Sequence, residues 1–567
     1  MQNKSVYHFR LLIFLLFFLS PVAVYSLDMD LTTVGTAVFS TLAAIQASIF
    51  AIVFSVVILG VQLSTSQYSP RLPDLFRSDT VYLQTAKAFA ISIGVSLIGL
   101  LLYGYVSDYW VELWMYISII TAIVAFGSLF SFVDKTLEQT TPEGILNRLE
   151  EELLPSQFIE QAEASNNDNS VPDPFVVILS VINSQIAERD TAAVYFGLNI
   201  ISRRVGALLE ECDHEELHED TPVGGSVNQL CTNRLTNTGQ RAVATELEES
   251  ANKVVSTLEA IGQDSINESM NQPVLFAGRG LSDMIFDLDY NNVDERVRGE
   301  SIESSKDLIQ NAAENNLWAE AGKVTRYLGW QMANSVHTRN ENQNHDVRYT
   351  SAVTVYFPGI LEKLVESAAD GIDSRTVDWD SSYPENAHDS YSESRAIKSV
   401  YVSVAELTGS FLRYEMKTGV SFCDWGDVGY GWVEAISNIS DNKFDSLRKL
   451  WIGTILFLNY IKDETPEEVM YNFDPYLHRE VCDEEIISTI EKILSKKSTP
   501  DQWLFFRQTI DPIDMPRTGY QYQLNIDNRK SFDEWLSNRK KVLAASKDNK
   551  NTDNIELRRW CRTRVKD

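Results

Sequence analysis

The longest apolar stretch of the chain runs from Thr36 to Leu63 and contains no charged residue. A helix needs ~20 residues to cross a bilayer, so this stretch predicts a membrane span. Two further stretches, Ala86 to Val106 and Trp114 to Val133, predict two more. The turn SDYWVE between them brings Tyr103, Tyr105, Tyr109, Trp110, Trp114 and Tyr116 together, as an aromatic belt at a lipid interface does. Ahead of the three spans, Leu11 to Val24 is apolar but short, follows Lys4 and Arg10, and ends in small residues at Val24 and Ser26. Residues 1–26 therefore read as a cleaved signal peptide or as a first short transmembrane helix, and residues 27–133 as the membrane domain, with spans at about 36–63, 86–106 and 114–133.

From Asp134 onward the apolar positions recur at helical spacing. Asp173 caps a helix that has Pro174 at its first position and Phe175, Ile178, Leu179, Ile182 and Ile186 on one face. Asp190 starts the next helix, with Val194, Leu198, Ile201, Val205 and Leu208. Later, Ile397, Val400, Val404, Leu407 and Phe411 share a face. The run from Leu450 to Ile461 is too short to span and reads as a core helix. The fold class is all-α: N-terminal transmembrane helices followed by a large helical domain over residues 134–538, with antiparallel helical pairs stacked into an array as a possible arrangement. Thr376 to Glu393 has no apolar period and reads as a surface loop. The segment Gly426 to Trp432 reads as a turn among aromatics, and Trp425, Trp432 and Trp451 as core.

Charge changes this picture by giving it a direction. The net charge is −30, yet residues 1–133 hold Lys4, Arg10, Arg71, Arg77 and Lys87 against six acids, so nearly all of the excess lies in the helical domain. Such an acidic body repels phosphates, which removes nucleic acid from its expected partners, and it suits a cytoplasm of high salt. Basic residues flank the N-terminus and the loop after the first long span, whereas Leu27–Gly35 and Ser107–Glu112 contain acids and no base. Positive loops stay inside, which places residues 64–85 and everything after Val133 in the cytoplasm of a multi-pass plasma-membrane protein. Five scattered cysteines are no disulfide framework and fit a reducing compartment. The tail, residues 539–567, has ten basic and four acidic residues; it could lie on anionic lipid, bind nucleic acid or fold back on the acidic body.

One face of the first long span is lined by Ser40, Ala44, Ser48, Ala51 and Ser55. Small residues let helix backbones approach in lipid, so this face is expected to pack on protein, and a homo-oligomer is expected. Within the three spans there is no Asp, Glu, Lys, Arg or His except Lys87, at an end. That pattern argues against proton relays, voltage sensors and coupled transport.

The hexapeptide Ser66, Gln67, Tyr68, Ser69, Pro70 and Arg71 follows the span. Pro70 disfavours helical geometry at Ser69, and the Ser and Gln side chains can serve carbonyls at the helix end. Arg71 and Arg77 then sit at headgroup level. The stretch Ala44 to Asp79 resembles the signature of a widespread prokaryotic family of predicted integral membrane proteins, a domain of unknown function whose members share Ser-Gln-aromatic-Ser-Pro-Arg after a long span. The likeness runs from Thr36 to Val106 and is weaker beyond, where Asp173-Pro174-Phe175 is similar to an Asn-Asp-Pro-Phe stretch with Pro172 in place of Asn. The resemblance implies an inner-membrane protein with a cytoplasmic helical region and no assigned activity.

The one chemical motif is His214-Glu215-Glu216-Leu217-His218, an H-E-x-x-H. On a helix its two imidazoles share a face and could hold zinc while Glu215 activates a water. Here acids surround it, so the segment reads as an exposed helix end before Pro222. A third ligand would have to be Glu246, Glu248, Glu249 or Cys231, none of them set by spacing. No phosphate loop, dinucleotide fingerprint or nucleophile elbow is present. The sequence therefore points to a non-enzymatic, membrane-tethered interaction or regulatory module with a cytoplasmic protein partner, with no cofactor. An oligomeric passive ion channel and a membrane-anchored zinc metallopeptidase are the alternatives.

Overall fold

The computed structural model describes residues 31–67, 80–167, 173–286, 292–337, 350–368, 393–418, 424–439, 445–464, 473–495 and 529–548. Among them there is no strand. The all-α class with apolar N-terminal helices followed by a helical region is therefore the fold of the protein. The chain divides into two compact units, residues 1–153 with 176–197, and residues 154–175 with 198–567.

The first unit is built on three long helices, α1 (Leu31–Gln67), α2 (Thr80–Leu102) and α3 (Asp108–Thr140), which pack on one another. Their buried faces repeat every three or four residues: Phe39, Ala43 and Gln46 on α1, Thr85, Phe89, Ser92 and Ser96 on α2, and Met115, Ser118, Ala122 and Ala125 on α3. That is the spacing of a left-handed helix seam. Large apolar residues such as Ile52, Leu59, Ile91, Leu101 and Phe130 point outward instead. An apolar exterior around a partly polar seam is the arrangement that lipid favours.

Two boundaries differ from the sequence reading. The second span ends at Leu102 because Gly104 takes a positive φ of 86° and turns the chain. SDYWVE is no turn: α3 already begins at Asp108, with Trp110 N donating to Ser107 O at 2.9 Å. Tyr105, Tyr109 and Trp110 are exposed there, as an interfacial belt requires. Four described helices are long and apolar enough to cross a membrane: the three spans, at Thr36–Ser55, Leu83–Leu102 and Tyr109–Thr136, and Thr191–Glu211, whose apolar spacing predicts an amphipathic helix. The fourth is the least apolar and carries Arg203 and Arg204. The unit also holds α4 (Pro142–Glu152), capped by Thr141, and most of α6 (Pro174–Glu188), where Ile178, Leu179, Ile182 and Ile186 are buried together as their spacing predicts.

The second unit begins with α5 (Pro155–Asn167) and takes up again within α7 (Thr191–Glu211). A run from Pro222 to Ala244 follows, made of α8 (Pro222–Gln229), a π turn at Leu230–Leu235 and α9 (Thr236–Ala244). Then come α10 (Glu248–Asn267), α11 (Asn271–Phe286), α12 (Asn292–Glu314) and α13 (Trp318–His337). Each packs on its chain neighbour and on the helix two places along, α10 on α12 and α11 on α13, which is the packing of stacked helical pairs. The links from α9 to α10, α10 to α11 and α12 to α13 are alike. Glu246, Ser269 and Asn316 adopt left-handed φ of 57–63°, and Leu247, Met270 and Leu317 donate back to Ala242, Ser265 and Ala312 at 2.7–2.8 Å. These bonds close helix C-termini in Schellman fashion without glycine.

The remainder comprises a π turn at Ala352–Tyr356, α14 (Phe357–Ser367), α15 (Glu393–Thr418), α16 (Trp425–Asn438), α17 (Asp445–Glu464), α18 (Asp474–Glu480), α19 (Asp483–Ser495) and α20 (Arg529–Asp548). Its core is aromatic. Trp432 and Trp451 meet at 4.8 Å, Tyr401 lies 5.5 Å from Trp451, and Trp432 Nε1 donates to Thr408 Oγ1 at 3.0 Å. The tryptophans are core, as expected. The glycine-rich segment, in contrast, is the first half of α16, capped by Asp424, and not a turn. Its glycines sit where other parts of the chain press in: a Cβ at Gly431 would lie 2.3 Å from the Val353 carbonyl oxygen. Thr376–Glu393 lies outside the described residues except for Glu393, which opens α15. The basic tail starts inside α20, where Arg539 pairs with Asp474, and Lys540 with Glu491 at 2.8 Å. The described start of the tail thus folds back on the acidic body.

Candidate functional site

The small-residue face of α1 is the first candidate. Ser40, Ala44, Ser48, Ala51 and Ser55 are all exposed, on the side of the helix opposite Phe39, Ala43 and Gln46. Ser48 and Ser55 Oγ donate to the carbonyls four residues back, at 2.8 and 2.7 Å, and Ser40 to Ala37 O at 3.2 Å. The hydroxyls are thereby satisfied within the helix, and what remains is a shallow surface that another helix can approach closely. Of the hexapeptide, Ser66 and Gln67 belong to α1, and Tyr68, Ser69, Pro70 and Arg71 lie outside the described residues.

The H-E-x-x-H segment is not helical. α7 ends at Glu211, and His214, Glu215 and His218 follow in turns, exposed, with Leu217 as the buried anchor. Thr221 closes this turn: its hydroxyl contacts the Glu216 and His218 carbonyls, and it caps α8 through Gly224 N at 3.0 Å. Four-residue spacing no longer puts the imidazoles on one helix face, and His218 Nδ1 lies 3.4 Å from Asp220. Among the described residues no group of three or more His, Cys, Asp or Glu is placed to hold a metal ion. Burial raises the thiol pKa of Cys231 to about 12; burial, then neighbouring Glu216, does the same for Cys212. Neither is a ready thiolate ligand.

Asp173 is more central than its sequence echo suggests. Its Oδ1 accepts from Phe175 N at 3.0 Å, capping α6, and its carboxylate also takes the Ser226 hydroxyl and the Arg234 guanidinium. Arg234 sits in the π turn after α8 and reaches Gln229 with its other nitrogen. One carboxylate therefore ties a helix start to a run that comes more than fifty residues later.

A cavity of about 480 Å³ opens where the Ala352–Tyr356 π turn, α14 and α16 meet. Its wall carries Glu362, Asp427 and Glu434 beside the exposed side chains of Val355 and Tyr430. Burial, then Asp424, raises the pKa of Asp427; burial, then Glu362, raises that of Glu434. Three carboxylates around an aromatic ring suit a cationic group. Nothing in the sequence flagged this wall: Asp427 and Glu434 share α16, but Glu362 comes from α14 and joins them only in the fold.

No curated protein and no solved structure matches the chain. A family model does match, and it extends past Val106, where the sequence likeness weakens, to include Asp173, Pro174 and Phe175. Residues 3–178 match the model of a family described as Predicted membrane protein (DUF2254), a membrane protein family of unknown function.

Proposed function

We propose that this multi-pass membrane protein is a non-enzymatic interaction or regulatory module, which holds its acidic helical domain on the cytoplasmic side of the plasma membrane and binds a protein partner there. The observation that carries the reading is the array α10 to α13. Helical pairs stacked in sequence present extended faces rather than a closed cleft, and such faces serve binding. The partner's contact surface is basic, to complement a body that holds nearly all of the net charge of −30. Self-association runs through Ser40, Ala44, Ser48, Ala51 and Ser55, which are exposed among the described residues.

In-cell crosslinking of the full chain tests the reading. A specific cross-linked partner is expected, and its yield should fall when Glu362, Asp427 and Glu434 are together changed to Lys. Recovery of the chain alone under several conditions counts against the module. In mild detergent the protein mass should be a multiple of 64.2 kDa, collapsing toward one chain in the Ala44→Leu, Ala51→Leu double variant. A wild-type monomer would remove the self-association.

A further inference from the structure

The seam of the membrane unit is polar at one level. Gln46 is fully buried, and neither its Nε2 nor its Oε1 has a hydrogen-bond partner. The Ser118 hydroxyl is likewise buried and unpartnered. The helix register brings the two groups within one helical turn of the same depth. On α1 and α2, a Cβ at Gly99 would lie 2.6 Å from the Phe39 ring, and the Phe50 and Phe89 rings meet at 5.3 Å, so the two helices run antiparallel with Gln46 level with Ser92. On α2 and α3, Ser92 Oγ donates to Thr121 Oγ1 at 3.3 Å, and Thr121 lies one turn from Ser118.

The other polar groups of this layer are already satisfied. Ser96 Oγ donates to Ser92 O at 3.1 Å, and Thr121 Oγ1 to Ser118 O at 3.0 Å. The Gln46 carboxamide and the Ser118 hydroxyl remain. An amide that leaves water without a hydrogen bond is strongly penalised, and lipid offers none in exchange.

We propose that Gln46 and Ser118 form an internal water site at the centre of the three-helix unit, where one or two water molecules between α1 and α3 join the carboxamide to the hydroxyl. The donor set fits the ligand. A carboxamide brings two N–H donors and an acceptor, a serine hydroxyl one donor and an acceptor, and an interior water takes two to four such partners. A water-sized ligand is also what a well-packed seam can admit.

Water-edited solid-state NMR of the full chain in lipid bilayers, with 15N-labelled glutamine side chains, tests this. The Gln46 carboxamide is identified by the signal lost in Gln46→Leu. It should receive magnetisation from water protons several times faster than the buried, protein-bonded carboxamide of Gln331, and Ser118→Ala should slow that transfer. Thermal melting of the two single variants and the double variant gives the second readout, with a double shift smaller than the sum of the single shifts. Coupling without water transfer means a direct Gln46–Ser118 hydrogen bond and overturns the site. Transfer as slow as at Gln331, with additive melting shifts, means a dry layer and overturns it too. Should Gln46→Leu fail to fold, the water transfer at Gln46 in wild type and Ser118→Ala still decides, with the signal assigned by sequential labelling.

Discussion

The carboxylate of Asp173 serves a helix start, a hydroxyl and a guanidinium at once, and its side chain and that of Arg234 are both mostly buried. Asp173→Ala removes a cap and leaves Arg234 without its main partner, which should cost about 2–4 kcal/mol in denaturant unfolding of the full chain. Asp173→Asn keeps the cap and loses only the charge, so it should cost less than Asp173→Ala; no loss in Asp173→Asn would mean that the ion pair contributes nothing. The D-P-F sequence announced the cap, but no spacing rule could announce Arg234. Asp264 poses the opposite case. Burial, then Glu210 and Glu268, raises its pKa above 3.8. The folded state thus holds this proton to higher pH than the unfolded state, so the group's contribution to stability falls as pH rises through the window above 3.8 and is at its least at neutral pH. Asp264→Asn should therefore raise the melting temperature at pH 7 and leave it unchanged in acid, where the wild-type carboxyl is already protonated.

Helix against helix, α13 and α15 approach closely. Ser403 Oγ donates to Thr325 O at 3.0 Å, Arg326 forms a two-point pair with Glu406 at 2.7 and 2.8 Å, and a Cβ at Gly329 would lie 2.3 Å from that of Ser403. Gly329→Ala should destabilise by about 1–3 kcal/mol in thermal or denaturant unfolding, because neither backbone can retreat without loosening the pair. Ser403→Gly in the same chain should recover part of the loss; no recovery would place the strain elsewhere. At this scale the sequence was an uneven guide. The buried faces of α6, α15 and α17 follow from apolar spacing alone. The glycine-rich start of α16 misleads, since glycine there answers to a neighbour's backbone and not to a turn. The H-E-x-x-H segment misleads in reverse: it has helical spacing, but the chain leaves the helix at Glu211 to bury Leu217 and cap α8 with Thr221.

For the molecule as a whole, the apolar exterior of the first unit is a statement about its solvent. Ile52, Leu59, Leu101 and Phe130 are exposed on helices whose buried seam includes Gln46, Ser92 and Ser118, an arrangement that water would penalise and hydrocarbon does not. The proposed topology leads to a direct expectation. Protease added outside intact cells should leave a C-terminal epitope intact, and permeabilisation should expose it. Loss of the epitope in intact cells would invert the topology and with it the cytoplasmic role. The tail adds a second expectation at this scale. With Arg539 and Lys540 already paired to Asp474 and Glu491, Lys540→Glu should lower the melting temperature by only a degree or so, as expected for a largely exposed pair worth about 0–1 kcal/mol.

Place and class were decided by the sequence alone. Bilayer thickness turns apolar length into a span, and helical periodicity turns apolar spacing into a buried face; both are one-dimensional quantities. The tertiary structure alone decided which polar groups meet: Asp173 with Arg234, Glu362 with Asp427 and Glu434 at the cavity wall, and Gln46 at the level of Ser92. These depend on distances between residues far apart in the chain, set by how helices pack, and no local pattern encodes them.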